Sequence, residues 1–190
     1  MAKTLAELAT LVEGAVINGD KDLTIEDIEH DSRKITQGAL FVCMEGVHVD
    51  GHKFIPDVVD KGAKVLVVEE PVSAPSDVTV IQVADTRYAM AFISAAWFGH
   101  PARKLKTIGI TGTKGKTTTT YMVKSILENA GYKVGLIGTI EAIIGDKVIP
   151  ASNTTPESYV VQEYFYEMVK AGCDCVVMEV SSQGLMLHRT

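Results

Sequence analysis

Cysteine is scarce in this sequence, which has three cysteines in 190 residues. An odd and sparse set excludes the disulfide framework of small secreted domains. Cys173 and Cys175 are two residues apart, so on a strand they would share one face. Since no further ligands lie near them at metal-binding spacing, we interpret both as small core residues in a reducing compartment.

Long apolar runs and basic clusters are also missing. No run of 18 apolar residues occurs, so the sequence predicts no membrane-spanning helix. Lys3, Glu7 and Glu13 interrupt the apolar pattern at the start, which argues against a signal peptide and favours a cytoplasmic location. Aromatic residues make up 6% of the chain and no basic stripe is interleaved with them, so nucleic acid is not an expected partner.

Charge is present but unevenly divided, within a net charge of −6. Residues 1–100 hold 8 Lys and Arg against 16 Asp and Glu, whereas residues 101–190 hold 10 against 8. The second half is therefore the better host for an anionic ligand.

The hydrophobic pattern predicts an α/β protein whose organisation changes near residue 101. Residues 1–100 are expected to form a small mixed α/β domain that opens with an amphipathic helix. Two further helices are predicted over residues 54–61 and 85–98, the second with Asp85 or Thr86 as its N-cap. The clearest predicted strands of this domain are the apolar runs at 39–44, 64–68 and 78–83.

Residues 101–190 alternate strands with helices, which is typical of a parallel, doubly wound sheet. Pro156 suits the first turn of a helix, and Ile144 to Val148 is typical of a hairpin with a Gly-Asp turn. Three parallel strands are few for such a sheet, so we expect residues 101–190 to be the first portion of a larger domain. The sheet would then have an open edge, which favours dimerisation. The predicted strands lie at 107–111, 133–140 and 175–180, and the predicted helices at 116–129 and 156–170.

A glycine- and threonine-rich loop, 111–115, joins a buried strand to a helix. Gly112 and Gly115 allow backbone N–H groups to turn toward phosphate oxygens. The helix N-terminus adds free N–H groups and a partial positive charge. The segment therefore predicts a phosphate-binding loop.

The residues after Gly115 complete this motif. Lys116 is expected to reach the β- and γ-phosphates of ATP, and Thr117 to place its hydroxyl on Mg²⁺. The standard Walker pattern has glycine where Ile110 stands, but the Gly-Lys-Thr ending and the strand–loop–helix context are intact. The alternative is an ordinary strand–helix turn in which a lysine begins the helix.

One carboxylate, Glu179, stands near the end of the apolar run 175–180. In open parallel sheets the carboxyl ends of the strands face the ligand crevice, and the loop 111–115 leaves a strand at that same edge. Glu179 is therefore expected to hold Mg²⁺, directly or through water. The alternative is a strand-terminal glutamate in solvent.

Several short motifs follow one another in an order and spacing that resemble the Mur ligase family, in its UDP-N-acetylmuramyl tripeptide synthetase branch. Each is weak alone, but the ordered set is specific and covers nearly the whole chain. The motifs are Asp31-Ser32-Arg33, Gly38-Ala39-Leu40-Phe41-Val42, GVHVDGH at 46–52, the segment 111–118, Asn153-Thr154-Thr155-Pro156-Glu157 and Glu179-Val180-Ser181-Ser182.

The resemblance implies an ATP-dependent amide ligase of peptidoglycan precursor synthesis, which activates a carboxylate as an acyl phosphate. Members of this branch add a diamino acid, meso-diaminopimelate or L-lysine, to UDP-N-acetylmuramoyl-L-alanyl-D-glutamate. Residues 1–100 would then be the UDP-muramyl substrate domain and 101–190 the N-terminal portion of the ATP-binding central domain.

The resemblance also implies roles for individual residues. ATP would be bound by Gly112, Thr113, Lys114, Gly115, Lys116, Thr117 and Thr118, and Mg²⁺ by Thr117 and Glu179. The UDP end of the substrate would contact Ser32, Val47, His48 and Val49. The muramyl-dipeptide portion would contact Asn153, Thr154, Thr155, Ser181 and Arg189.

The chain departs from the family pattern in detail. Lys114 replaces a usual asparagine in the loop, Gln183 stands where histidine is frequent, and Leu187 stands where many members have glutamine. Family members are also longer, and the part that selects the incoming amino acid is missing here. We therefore expect a fragment of a longer protein.

Simpler roles and other functions remain open at this stage. Ser32 suits a turn, Thr154 and Thr155 suit a cap for the following helix, and Ser181 suits a cap for the next one. The chain could also be a non-catalytic binder of nucleotides or UDP-muramyl peptides. A related ligase such as folylpolyglutamate synthetase shares the phosphate loop, but that family begins directly with its ATP domain, unlike this chain.

Overall fold

The computed structural model describes residues 2–9, 12–46 and 49–190. The chain divides into two compact units, Met1–Trp97 and Phe98–Thr190. Val47 and His48, two of the predicted substrate residues, lie outside the described residues. The α/β fold class is confirmed, since each unit combines a largely parallel sheet with helices.

The first unit contains a five-stranded sheet in the order β2-β7-β6-β5-β4, parallel except for β2, and a two-stranded antiparallel pair of β1 with β3. Its strands are β1 (Lys3–Thr4), β2 (Val16–Asn18), β3 (Thr24–Ile25), β4 (Asp27–Glu29), β5 (Ala39–Val42), β6 (Val65–Val68) and β7 (Thr79–Gln82). Its helices are α1 (Leu5–Ala9), α2 (Ile55–Asp60) and α3 (Thr86–Trp97).

The central strands of this sheet are continuous apolar runs. Every residue of β5 and β6 is buried, as expected for parallel strands that are covered on both faces. Phe41 and Leu66 pack against Val58 of α2 in one core cluster. The core of the first unit is therefore built from the strands that the sequence pattern predicts at 39–44 and 64–68.

Two helix starts in the first unit are set by aspartate side chains. Asp85 accepts a hydrogen bond from the backbone N–H of Tyr88 at 2.8 Å, so Asp85, not Thr86, caps α3. The helix predicted at 54–61 is preceded by a 3₁₀ turn, Gly51–Phe54, which the pattern did not predict. Asp50 caps that turn by accepting from the N–H of His52 at 2.9 Å.

The second unit is built on another five-stranded sheet, in the order β11-β10-β9-β12-β8. Its strands are β8 (Lys106–Ile110), β9 (Val134–Ile137), β10 (Glu141–Ile144), β11 (Lys147–Pro150) and β12 (Cys175–Glu179). Its helices are α4 (Lys116–Asn129), α5 (Ser158–Lys170) and α6 (Ser182–Met186).

The predicted parallel sheet of this unit forms and gains two strands. β12 lies between β8 and β9 and pairs with both in parallel. The hairpin with the Gly-Asp turn is confirmed, and its first strand, β10, pairs antiparallel with β9. Helix α5 starts at Ser158, so Pro156 lies before the helix and not in its first turn.

The two faces of β12 contribute to different core clusters. Val176 and Met178 pack with Phe165 of α5 on one face, whereas Cys175 and Val177 lie in a cluster with residues of α4 on the other. Cys173 belongs to the α5 cluster. The expectation that Cys173 and Cys175 share a face is wrong, because the strand begins at Cys175 and Cys173 lies in the connection before it. All three cysteines are buried and unpaired.

Among the residues that the structure describes, we find no helix with the length and apolar character that crossing a membrane requires.

Candidate functional site

The loop between β8 and α4 has the backbone shape of an anion-binding turn. Gly112 has φ of 146° and Gly115, the N-cap of α4, has φ of 79°, both in the region that favours glycine. Residues 111–115 are exposed, so the loop is open to a ligand. The first turn of this 14-residue helix contains no acidic residue of its own.

Lys116 bends back over this loop. Its Nζ donates to the carbonyl oxygen of Gly112 at 2.9 Å. The hydroxyl of Thr120 donates to the carbonyl of Lys116 at 2.6 Å, which ties down the first turn of the helix. The ammonium group therefore lies at the mouth of the loop, in reach of any oxygen that the loop binds.

Glu179 is almost fully buried, with 1% of its surface exposed, and is held by three hydrogen bonds. Its Oε2 accepts from the hydroxyl of Thr117 at 2.9 Å and from the hydroxyl of Thr139 at 3.1 Å. Its Oε1 accepts from the backbone N–H of Thr139 at 2.8 Å. A buried carboxylate is stable only when it is bonded in this way.

The sheet topology explains why this carboxylate meets the loop. Glu179 ends β12 and pairs in register with Ile110, the last residue of β8 before the loop. On its other side β12 neighbours β9, whose end leads into Gly138 and Thr139. Three parallel strand ends thus converge on one edge, as expected for the ligand-binding edge of such a sheet.

Gly138 provides the space that the carboxylate occupies. A Cβ at this position would lie 2.6 Å from Oε1 of Glu179, closer than atoms normally approach. Glycine at 138 is therefore required by the position of Glu179 and not by its own backbone angles.

We expect Gly138→Ala to destabilise the chain by about 1–3 kcal/mol, because the added methyl group must displace a bonded, buried carboxylate. Urea unfolding followed by circular dichroism would measure the change. Ile140→Ala, at an exposed position two residues on, is the matched control and should have little effect. An unchanged midpoint for Gly138→Ala would mean that Glu179 can move aside at no cost.

The oxygen atoms around Glu179 fit a magnesium ion. The carboxylate and the Thr117 hydroxyl are hard oxygen donors 2.9 Å apart beside the phosphate loop, and Mg²⁺ is commonly bound by one or two protein oxygens together with phosphates and water. The described residues contain no group of three or more His, Cys, Asp or Glu side chains that could hold a metal alone. A metal here would therefore need oxygen atoms from a bound nucleotide.

The segment 153–157 reaches the same edge through two threonines. The hydroxyl oxygens of Thr154 and Thr139 lie 3.1 Å apart. The buried Thr155 donates its hydroxyl to the carbonyl of Glu179 at 3.0 Å and accepts from the N–H of Ser181 at 3.0 Å. Thr155 thus joins this segment to the chain that leaves β12, and does not cap α5.

Ser181 and Arg189 hold the neighbouring turns. Ser181 is the N-cap of α6 and accepts from the N–H of Gly184 at 2.9 Å, as its alternative capping role predicts. Arg189 donates to the carbonyl of Thr155 at 3.0 Å and also pairs with Glu157. Its Nε is buried and lacks a hydrogen-bond partner among the described residues.

The other predicted nucleotide and substrate residues of the second unit lie on the surface. Thr113, Lys114, Thr118 and Asn153 are exposed. Lys114 lies between the two glycines of the loop, so its charge adds to that of Lys116 there.

In the first unit, Ser32 lies in a turn that is tied to α2. Its backbone carbonyl accepts from Nζ of Lys61 at 2.9 Å, and the same ammonium pairs with Asp57 at 2.7 Å. Arg33 makes a two-pronged ion pair with Asp31, with both N–O distances 2.8 Å, and this lowers the pKa of the Asp31 carboxyl well below its usual range. Val49 is 53% exposed.

The sequence analysis missed Thr139, which bonds to Glu179, and Gly138, which makes room for it. It also missed a link between α4 and β10, in which the Tyr121 hydroxyl donates to Glu141 at 2.8 Å. Partial burial and this hydrogen bond raise the pKa of Tyr121 to about 12. The available signal for Thr139 was its place directly after an apolar strand in a parallel sheet.

Two family models match the chain, one in each unit. A model described as "Mur ligase family, catalytic domain" matches residues 24–98, and one described as "Mur ligase middle domain" matches residues 110–190. Together they span most of both units.

Curated relatives extend this similarity along nearly the whole chain. A UDP-N-acetylmuramoyl-L-alanyl-D-glutamate--2,6-diaminopimelate ligase from Clostridium perfringens is 52% identical over 185 residues, which are 96% of this chain and 38% of the relative. A ligase of the same name from Clostridium botulinum is 53% identical over 168 residues, which are 87% of this chain and 35% of the relative. The chain therefore spans little more than a third of the length of these relatives.

A solved structure shares the fold of the chain. A solved structure of a UDP-N-acetylmuramoyl-L-alanyl-D-glutamate--2,6-diaminopimelate ligase superposes with a TM-score of 0.79 at 20% identity, over all of this chain and 38% of that one. The resemblance found in the ordered sequence motifs is thus confirmed, and the chain belongs to the Mur ligase family.

Proposed function

We propose that this chain is the substrate- and nucleotide-binding part of an ATP-dependent amide ligase. The reaction would join meso-diaminopimelate to UDP-N-acetylmuramoyl-L-alanyl-D-glutamate in peptidoglycan precursor synthesis, in the cytoplasm. The observation that carries the nucleotide site is the 2.9 Å contact of Thr117 with the buried Glu179 at the phosphate loop. The names of the relatives support diaminopimelate over lysine as the incoming amino acid.

The loop and Lys116 would bind the triphosphate of ATP. A phosphate oxygen would replace the Gly112 carbonyl as the acceptor of the Lys116 ammonium. The free N–H groups at the start of α4 would face the same phosphates, with the helix dipole favouring their charge. Both effects place positive charge where the γ-phosphate is transferred to a carboxylate.

Thr117 and Glu179 would hold magnesium against that triphosphate. Mg²⁺ held by these two residues would supply positive charge that offsets the charge of the phosphates. The Thr117 hydroxyl can offer its oxygen to a metal while it still donates its proton to Glu179. Glu179 thus fixes the direction of the Thr117 lone pairs, besides supplying negative charge.

The segment with Asn153, Thr154 and Thr155 would position the acceptor carboxylate. Thr154 is joined to the Glu179 cluster through Thr139, so the segment is held close to the proposed metal. Arg189 is bonded to the backbone and to Glu157, which suits a role in holding this segment as well as the predicted substrate contact. A carboxylate held here would lie near both the metal and the γ-phosphate.

The first unit would bind the UDP end of the substrate at the turn that contains Ser32. That turn is tied to α2 by Lys61, so the Ser32 hydroxyl is presented from a supported backbone. Val47, His48 and Val49 are proposed as further contacts on the basis of the family resemblance. The match of this unit to the Mur ligase family favours a muramyl substrate over a folate substrate.

Calorimetric titration of the 190-residue chain with UDP-N-acetylmuramoyl-L-alanyl-D-glutamate would test this proposal. We expect saturable binding that weakens by roughly tenfold in Ser32→Ala, because a hydroxyl that bonds a charged ligand contributes about 1.5 kcal/mol. Ser73→Ala, at an exposed serine of the same unit, is the matched control and should bind as the parent does.

The titration separates the muramyl ligase from a nucleotide binder. If the UDP substrate does not bind while Mg-ATP does, the cell-wall assignment is wrong and a nucleotide-binding module remains.

Self-association through the edge strand β8 stays a prediction, based on the incompletely buried residues of that strand.

A further inference from the structure

Thr139 is an exposed residue whose two donor groups both bond to one buried carboxylate. Its backbone N–H donates to Oε1 of Glu179 at 2.8 Å, and its hydroxyl lies 3.1 Å from Oε2. The residue follows β9 directly, at the edge where the phosphate loop also lies. Neither the family motifs nor the sequence pattern assigns it a role.

The Thr139 hydroxyl oxygen can accept a hydrogen bond while its proton is donated to Glu179. A hydroxyl carries one proton, and the Glu179 carboxylate can only accept. With the Thr139 proton directed to Glu179, the Thr139 oxygen accepts from Thr154, whose hydroxyl oxygen is 3.1 Å away. The bonds therefore run in one direction, from Thr154 through Thr139 to the carboxylate.

Thr139 also decides which way the carboxylate faces. It bonds to both oxygens of Glu179, whereas Thr117 bonds only to Oε2. Two bonds from one residue favour one rotation of the carboxylate plane, and the missing side chain at Gly138 makes room for Oε1 in that orientation. Removal of the hydroxyl would leave each carboxylate oxygen with a single donor among these residues, so the plane would be held less firmly.

We propose that Thr139 is a positioning residue for the metal-binding carboxylate, which acts by holding Glu179 toward Thr117 and the phosphate loop. The inference rests on the proposed function, because it requires magnesium to be bound with the nucleotide there. Residues that orient a metal ligand typically change metal affinity by about 10- to 100-fold when they are replaced. Since Thr139 is exposed, its hydroxyl is not needed to fill the core.

The test measures the affinity of the chain for a non-hydrolysable ATP analogue, with Mg²⁺ and with EDTA. The ratio of the two affinities is the readout, because a purely structural defect would lower both alike. We expect the magnesium-dependent gain to fall by about tenfold in Thr139→Val and to return in Thr139→Ser, which restores the hydroxyl. Thr154→Val, whose hydroxyl is joined to Glu179 only through Thr139, should reduce the magnesium-dependent gain by less. Thr119→Val, at an exposed threonine of α4, should leave the gain unchanged.

Each other outcome overturns the inference in a recognisable way. An unchanged ratio in Thr139→Val would show that Thr117 alone positions Glu179. A parent chain that binds the analogue equally well with EDTA would show that the loop binds the nucleotide without a metal, so Thr139 could not act through one. Failure of the proposed function differs from both: the UDP substrate would not bind, although the magnesium-dependent gain was intact.

Discussion

Replacement of Lys116 by alanine is expected to weaken the binding of Mg-ATP by about 10- to 100-fold. The reason is that a hydrogen bond from an ammonium group to a charged phosphate contributes roughly 1.5–3 kcal/mol. The side chain arches over the loop, where its Nζ donates to the Gly112 carbonyl. That oxygen is in the exposed loop and can bond to water instead, so the fold should be little affected.

Lys124→Ala is the matched control for this prediction. It removes the same charge from the same helix, two turns further along, where the ammonium pairs with Glu128 at 2.5 Å. Calorimetry on both variants, with thermal unfolding to check the fold, separates a local contact from a general loss of positive charge. Equal losses of Mg-ATP affinity in the two variants would mean that binding depends on the net charge of α4 and not on a contact of Lys116.

The sequence was sufficient to predict the parts of this site that depend on local pattern. Two glycines, a lysine and a threonine predict the loop, because the turn and a bound phosphate would require these residue types. The strand before the loop was predicted as buried, which is wrong, because β8 lies at the edge of the sheet and none of its residues is buried. Helix α4 was predicted with the observed bounds, 116–129. Glu179 was selected as a candidate metal ligand because burial of a single carboxylate in an otherwise apolar strand costs free energy, and a functional role would explain its presence.

The partners of Glu179 depend on tertiary pairing and could not be predicted in the same way. Thr139 is an exposed threonine that follows an apolar strand, but it reaches the carboxylate only because β12 lies between β8 and β9. The same applies to Thr155, whose position before Pro156 suits a helix cap. In the folded chain its hydroxyl bonds instead to Glu179 and Ser181, across the end of the sheet.

The boundaries of the second sheet show a further limit of local pattern. Three parallel strands were predicted, and the hairpin was recognised from its turn. Its pairing with β9 could not be predicted, because the turn of a hairpin does not specify which other strand the hairpin pairs with. Cys173 and Cys175 illustrate the same point, since their spacing implies a shared face only when both lie in the strand.

Replacement of Glu179 by glutamine should abolish most of the magnesium-dependent gain in nucleotide affinity while the chain stays folded. Glutamine has the same shape, and an amide nitrogen at the Oε2 position can donate to the hydroxyl oxygens of Thr117 and Thr139. The backbone N–H of Thr139 keeps its acceptor at Oε1. We therefore expect a stability loss of about 1 kcal/mol, whereas Glu179→Ala would leave three donors without their acceptor and should cost more.

The loss of magnesium affinity in the glutamine variant has two physical causes. The negative charge is gone, and the Thr117 hydroxyl, which now accepts from the amide, must turn its proton toward the metal. We expect at least a roughly tenfold smaller gain from Mg²⁺ than in the parent chain. Glu141→Gln, which removes a neighbouring carboxylate bonded to Tyr121, is the matched control and should keep the full gain. A glutamine variant that still responds to magnesium as the parent does would place the metal elsewhere and leave Glu179 as a buried structural anchor for Thr117 and Thr139.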